Sequence, residues 1–163
     1  MTVSKDLFKQ TMGSFPTGVT VTTAHADDGQ VVGMTASAFS SLSLDPLLVL
    51  MCPAKQAECY SALTEASYFS IHILGGDQGP LAWQFAKSDA DKTEGLMISK
   101  GPQGSPKIQG CLAYLECRHH ALYDGGDHGI LVGEVTHIEL PDSDRDPLAY
   151  CKSSLGPLPP LHS

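Results

Sequence analysis

A small antiparallel β-barrel with a few helices is the fold class this sequence predicts, on three observations. Stretches rich in β-branched or alternating apolar residues recur along the chain, separated by Gly, Asp and Pro turn signals. Helical spacing is confined to short segments between them. No GxGxxG follows a strand pattern, so a doubly wound dinucleotide fold is not indicated, and there are no internal repeats. At 163 residues the chain makes one domain with room for a core.

Taken in order, residues 4–14 predict a helix, with Leu7, Phe8, Thr11, Met12 and Phe15 on one face and Ser4 as its cap. Gly13 and Pro16 end it. Residues 19–23 are β-branched and read as a strand; Asp27-Asp28-Gly29 turns the chain, and Val31 begins the return, so residues 18–37 form a hairpin. Residues 47–52 are an unbroken apolar run that fits a strand buried on both faces, entered through Asp45-Pro46 and stopped by Pro53. Residues 55–64 follow as a helix, with Tyr60 and Leu63 as core candidates. Residues 68–74 alternate: Phe69, Ile71 and Ile73 to one side, Ser70 and His72 to the other, where His72 reads as an ordinary hydrogen-bonded histidine.

Residues 78–87 predict a helix with Leu81, Ala82, Phe85 and Ala86 as its apolar stripe and Trp83, the sole tryptophan, off its centre. Residues 88–107 read as a surface excursion. A long strand over 111–123 and another over 129–140 make a second hairpin around Asp124-Gly125-Gly126-Asp127. On the first of these, Glu116, Arg118 and His120 fall on the polar face. Residues 141–147 form a loop and residues 148–151 a short last strand. The expected domain is 1–155, followed by a Pro-rich, extended tail over 156–163.

Composition removes several function classes. Ten Lys and Arg stand against 18 Asp and Glu, for a net charge of −8. With no basic run, this is not a nucleic-acid binder. Five cysteines without a CxxC give neither a disulfide framework nor a zinc site and are expected as free thiols in a reducing compartment. The amino-terminal MTVSKDLFKQ has no apolar leader pattern, and residues 47–52 are far too short to span a membrane. A soluble, cytoplasmic protein is expected. There is no GxSxG or HExxH, and His119 and His120, adjacent on a strand, point to opposite faces and do not share a metal.

The residues that remain lie mostly in 33–55. Small residues and hydroxyls precede the apolar run: Gly33-Met34-Thr35-Ala36-Ser37-Ala38-Phe39-Ser40-Ser41. Small side chains let a flat ligand approach the backbone, and hydroxyls add neutral donors and acceptors. A hydroxyl-rich strand edge with no ligand is the other reading of the same pattern. Gly126-Asp127-His128 likewise reads as turn chemistry or as a ligand-binding corner.

Phe15-Pro16-Thr17-Gly18-Val19-Thr20-Val21, the 33–41 stretch and Leu44-Asp45-Pro46-Leu47-Leu48-Val49-Leu50, followed by Gly126-Asp127-His128 and Gly133-Glu134-Val135, resemble the short-chain flavin reductase family across residues 8–150. The resemblance implies an antiparallel, Greek-key-like split β-barrel of the FMN-binding type, working as a homodimer. It implies hydride transfer from NADH or NADPH to FMN or FAD, with reduced flavin supplied to a separate monooxygenase. It also implies a site. Thr35, Ala36 and Ser37 run along the flavin ring and its polar edge, Met34 belongs to the same cofactor-binding set, and Ser40 and Ser41 lie near the ribityl chain and phosphate. Cys52, Pro53, Ala54 and Lys55 lead toward the phosphate, Phe85 and Ala86 close the site, and Lys92 is a nearby cation. His128 lies where the nicotinamide stacks over the flavin and is the catalytic residue, and Asp127 and Tyr150 complete the cofactor-binding set.

Three departures stand out. Gln56, Ala57, Glu58 and Cys59 replace the usual hydroxyls of the phosphate turn, Thr93 replaces a frequent aromatic, and Cys151-Lys152-Ser153-Ser154-Leu155 replaces a basic and aromatic ending. The alternative function is a non-catalytic flavin- or haem-binding carrier or sensor on the same barrel.

Overall fold

The computed structural model describes residues 2–88, 90–142 and 144–159. Helix α1 (Lys5–Gly13) starts where Ser4 accepts a hydrogen bond from Leu7 N–H. The strands that follow are β1 (Thr17–Gly18), β2 (Thr20–His25), β3 (Val31–Ala36), β4 (Phe39–Leu44) and β5 (Leu47–Met51). Then come α2 (Tyr60–Glu65), β6 (Tyr68–Ile73), α3 (Gly79–Ala86), β7 (Ile98–Lys100) and β8 (Pro106–Ile108). The chain closes with β9 (Ala113–Gly125), β10 (His128–Glu139), β11 (Leu148–Cys151) and β12 (Ser154–Pro157). Every strand pairing is antiparallel. Seven strands make the main sheet in the order β3-β2-β6-β9-β10-β5-β4; β1-β11-β12 and β7-β8 are separate small sheets. This is the mainly β split barrel expected. Among the described residues no helix is long and apolar enough to cross a membrane.

The core has two parts. Met51, Leu63, Phe69, Ile71, Cys117 and Leu131 pack together on one side. Val19, Val21, Leu74, Phe85, Ile108 and Leu148 pack on the other, under α3. Strand β2, in the sheet interior, lies between them and is buried from Thr20 to Ala24.

The apolar run expected to be buried on both faces is not. In β5 only Val49 and Met51 are buried, and Leu47 is exposed. The strand is second from the sheet edge, beside the largely exposed β4, so one face has no cover within a single chain. The helix expected over 55–64 begins only at Tyr60. Its first residues are held elsewhere: Ala54 bridges to His128, and Lys55 N–H donates to Asp127 O.

The excursion over 88–107 is more than a surface loop. Its β7–β8 hairpin folds over the sheet, burying Ser105 and Ile108. It thereby covers Glu116, which the alternation placed on the polar face and which is fully buried. A twelfth strand, β12, pairs with β11, and the tail expected from 156 begins inside it. Residues 160–163 of that tail lie outside the described residues.

His72 fits its reading as a hydrogen-bonded core residue. Its Nδ1–H donates to Val21 O at 3.0 Å, and its Nε2 accepts Ile108 N–H at 3.0 Å, a pairing only the neutral ring makes. Burial pushes its pKa down to about 4. The unfolded chain takes up this proton at the ordinary value near 6.5, so the stabilisation is complete above that pH and is lost as pH falls toward 4. Unfolding free energy is expected to drop by about 2.5 kcal/mol between pH 7 and 4.5 through this group. Urea titrations of wild type and His72→Gln check this, the variant having the shallower slope; equal slopes would refute it.

Candidate functional site

Three cavities adjoin one another through shared lining residues. The central one, 240 Å³, is lined by Val19, Thr35, Ser37, Ala82, Trp83, Ala86, Tyr150 and Leu155. It shares Ser37 and Tyr150 with a 640 Å³ cavity bordered by Phe15, Phe39, Ser40, Leu50, Cys52 and Ser153. On its other side it shares Thr35 and Ala86 with a 260 Å³ cavity that reaches Met34, Glu58, Lys87 and Lys92. Beyond Lys92 a further 560 Å³ cavity is bordered by Gln30, Glu58, Asp91 and Thr93. Because neighbouring cavities share walls, together they form one trough.

The trough exists because β3 and α3 are held close. Thr35 Oγ1 donates to Ala82 O at 2.6 Å, so this hydroxyl keeps only its acceptor side for a ligand. Phe85 packs under β3 and is 2% exposed. Gly33 permits that contact: a Cβ there would stand 2.4 Å from Thr22 O and 3.1 Å from Phe85 Cε1. The opposite wall comes from the β11–β12 hairpin. Its turn residues Lys152 and Ser153 have φ of 48° and 64°, the left-handed region that favours Gly or Asn. Lys152 N–H, donating to Gly13 O at 2.8 Å, pins the turn to the end of α1.

Nine predicted site residues line this trough: Met34, Thr35, Ser37, Ser40, Cys52, Phe85, Ala86, Lys92 and Tyr150. Ala36 is buried beneath it, 7% exposed. Ser41 is exposed on the edge strand β4 and borders none of these cavities. Lys92 does not present a bare ammonium: its Nζ bonds to Lys87 O and, at 3.2 Å, to Gln84 O, which satisfies carbonyls at the end of α3.

The other five form a separate group. The backbone of 53–55 pairs with that of 127–129 through Lys55 N–H to Asp127 O and Gly129 N–H to Pro53 O. This ribbon carries Pro53, Ala54, Lys55, Asp127 and His128, and Cys52 joins it to the trough. Lys55 Nζ pairs with Asp124, which raises the lysine pKa and lowers that of Asp124. His128 Nδ1 lies 2.7 Å from Asp127 Oδ1, and that hydrogen bond holds the Asp127 carboxyl below its usual range. It fixes the ring so that Nε2 is the nitrogen left to a ligand. The corner itself is a two-residue turn with Gly126 at φ 79°.

Trp83, Ala82 and Leu155 also line the trough, and nothing in the sequence pattern assigns them to it. A single tryptophan off the centre of its helix stripe was the one available signal for Trp83. The thiols are as expected: Cys52 and Cys151 are half-buried and Cys59, Cys111 and Cys117 buried, all unpaired. Among the described residues no group of three or more His, Cys, Asp or Glu is arranged to hold a metal.

Comparison with known proteins gives a consistent result. Residues 12–159 match the family described as flavin reductase like domain. The chain is 42% identical over 149 residues, 91% of its own length and 83% of the relative's, to FMN reductase (NADH) SmoA of Agrobacterium fabrum (strain C58 / ATCC 33970). It is 36% identical over 143 residues, 88% of its length and 73% of the relative's, to the reductase subunit HsaB of a flavin-dependent monooxygenase from Rhodococcus jostii (strain RHA1). Among solved structures, the NADH:FAD oxidoreductase SgcE6 of Streptomyces globisporus C-1027, in complex with NAD and FAD fragments, superposes with a TM-score of 0.89 at 35% identity, covering 96% of this chain and 94% of that one. BorF, the flavin reductase component of a bacterial two-component tryptophan halogenase, gives 0.88 at 33%, covering 97% and 100%.

Proposed function

Since the chain belongs to the flavin reductase-like family, we propose that it is an NAD(P)H:flavin oxidoreductase that supplies reduced FMN or FAD to a separate monooxygenase. The observation that carries this reading is the trough: small residues, hydroxyls and aromatic walls from β3, α3 and β11 line one continuous surface. A lining of that kind suits a flat heteroaromatic ring.

Bound flavin supplies an acceptor, at its N5, for the hydride leaving C4 of a reduced nicotinamide. The protein's part is to hold two rings in contact and to favour negative charge on the acceptor. Thr35 and Ser37 border the ring, with Met34 beside them and Ala36 supporting the strand from below. Ser40, Cys52 and Tyr150 line the larger chamber, Phe85 and Ala86 close the opposite side, and Lys92 adds positive potential. His128, oriented by Asp127, offers Nε2 to the nicotinamide carboxamide, and the ribbon through Pro53, Ala54 and Lys55 holds that corner in place. No strong acid or base is required of any of them.

The reading includes a homodimer. Leu7, Phe8, Met12 and Phe15 on and just after α1, and Leu42, Leu44 and Leu47 on β4 and β5, are all about half exposed or more. Apolar surface of that extent is what a second copy covers. Sedimentation at twice the chain mass is the expected result; a monomer at micromolar concentration would remove this part. The five unpaired thiols suit a cytoplasmic location.

Anaerobic stopped-flow tests the activity. Protein with FMN or FAD, mixed with NADH or NADPH, is expected to bleach oxidised-flavin absorbance in a reaction that saturates with nucleotide. His128→Ala should slow bleaching more than it weakens flavin binding. Flavin bound without bleaching would instead make this a carrier.

A further inference from the structure

The β7–β8 hairpin is tied to the main sheet through side chains. Its two strands form a sheet of their own, and among the described residues no backbone-to-backbone hydrogen bond joins residues 98–108 to the main sheet. The seat beneath it is six side chains in two rows across β2, β6 and β9: Val21, His72 and Tyr114, then Thr23, Ser70 and Glu116. All six are buried, and every one but Val21 carries a polar group. Ile108 N–H donates to His72 Nε2 at 3.0 Å, and Thr23 Oγ1 donates to Pro106 O at 3.1 Å. Ser70 Oγ and Ser105 Oγ lie 2.7 Å apart, and Glu116 accepts from Gln103 and Ser105. Apolar anchorage is small: Ile108 is buried and Ile98 partly buried against the core under α3.

A segment with few apolar contacts opens more readily than the core around it. The polar seat adds to this, because water replaces its hydrogen-bonding partners once the hairpin lifts. A 250 Å³ cavity runs along the hairpin's flank, lined by Lys107, Gln109, Tyr114 and Arg145, and gives water an entry.

His72 makes the tie sensitive to protons. Its Nε2 accepts only while the ring is neutral; a protonated ring turns an N–H toward Ile108 N–H, and the two donors repel. The groups facing it do not offset that charge. Lys107, from the hairpin, opposes it. Tyr114, from β9, packs its ring 5.4 Å away and is kept neutral by burial. From β2 comes the Val21 carbonyl, which already accepts Nδ1–H. Glu116, the carboxylate of the seat, lies in the other row and is taken up by Gln103 and Ser105.

We propose that the β7–β8 hairpin is a flap that lifts from the barrel as a unit, without unfolding it, and that acid opens it by placing a proton on His72. The device is independent of the flavin chemistry. With the flap closed, burial holds the His72 pKa at about 4; with it lifted, the ring regains its ordinary value of 6.5. Opening takes up a proton, so it is favoured as pH falls through that window. The open population is expected to rise about 25-fold between pH 7.5 and 5.

Native-state hydrogen exchange on the full chain, at those two pH values and in low concentrations of urea, tests this. After correction for intrinsic exchange rates, the amides of Gly101, Gln103, Ser105 and Ile108 are expected to share one opening equilibrium. They should be less protected than β2 and β6, with a smaller urea slope, and should lose about 25-fold in protection at the lower pH. His72→Gln, which keeps a hydrogen-bonding amide but does not titrate, should remove that loss. Ser105→Ala deletes a hydrogen bond to a carboxylate; it should raise flap opening about tenfold, leave β2 unchanged and keep the pH response. Equal protection and equal urea slope in the flap and in β2 would show that the hairpin opens only with the sheet, and would overturn the proposal. So would a pH response that is absent in wild type, or one that survives in His72→Gln. If His72→Gln does not fold, the Ser105→Ala protein decides: acceleration spread equally over β2 and the hairpin overturns the flap, and acceleration confined to the hairpin supports it.

Discussion

Gly33→Ala is expected to lower the melting temperature by roughly 6–12 °C, from a loss of about 3 kcal/mol. The reason is the 2.4 Å that would separate the new Cβ from Thr22 O, with Thr23 Cγ2 and Phe85 Cε1 at 3.0 and 3.1 Å. Two of these three neighbours belong to β2, which pairs with β3 at Thr23 and Gly33, so the methyl has no flexible side chain to displace on that side. Phe85 gives way first. It belongs to α3, whose next residue, Ala86, and preceding Trp83 line the central chamber. The same substitution should therefore weaken flavin binding in protein that is still folded at 20 °C. Circular dichroism melts and flavin titration of the purified variant check both halves. A melting temperature within a degree of wild type would show that the two strands part without cost.

Glu116→Ala is expected to cost about 3 kcal/mol or more, the scale of leaving several buried donors without an acceptor. The carboxylate is fully buried. It accepts Gln103 N–H at 2.9 Å, Ser105 N–H at 3.2 Å and Ser105 Oγ–H at 2.6 Å. These donors lie on the turn between β7 and β8, so the loss should fall on that hairpin first. Hydrogen exchange at Gln103 and Ser105 should accelerate well beyond that in β2 or β6. Glu116→Gln, which turns an amide N–H₂ toward N–H groups, should recover only part of the stability. Uniform acceleration across the sheet, or none, would show that Glu116 is not what fastens the hairpin.

The sequence made the pattern of strands and short helices legible because alternation, turn residues and capping are local. Ser4, the 18–37 hairpin and residues 79–86 needed nothing from the rest of the chain. What it hid depends on which surfaces meet. The 47–52 run looks buried on both faces, yet burial follows position in the sheet, and the threonine-bearing β2 has that place. Glu116 looks exposed until a hairpin thirteen residues upstream folds over it. The Lys152-Ser153 turn carries no Asn or Gly to announce it, so β12 was invisible. Of the trough's lining, Met34, Thr35, Ser37, Ser40 and Phe85-Ala86 were legible through the family resemblance, while Gly126-Asp127-His128 stands apart on the ribbon. Trp83 and Leu155 were not legible, because only the packing of α3 against β3 and β11 makes them neighbours.

The ribbon between 53–55 and 127–129 has a consequence for how such a chain tolerates change in length. Each of these segments is the other's hydrogen-bonding partner, at Ala54 and His128 and at the bonds on either side. Inserting or deleting one residue in either would slip the pairing by one and turn His128 to the opposite face. Two stretches more than seventy positions apart are thus bound to a common length, and an alteration to one is viable only with a compensating alteration in the other.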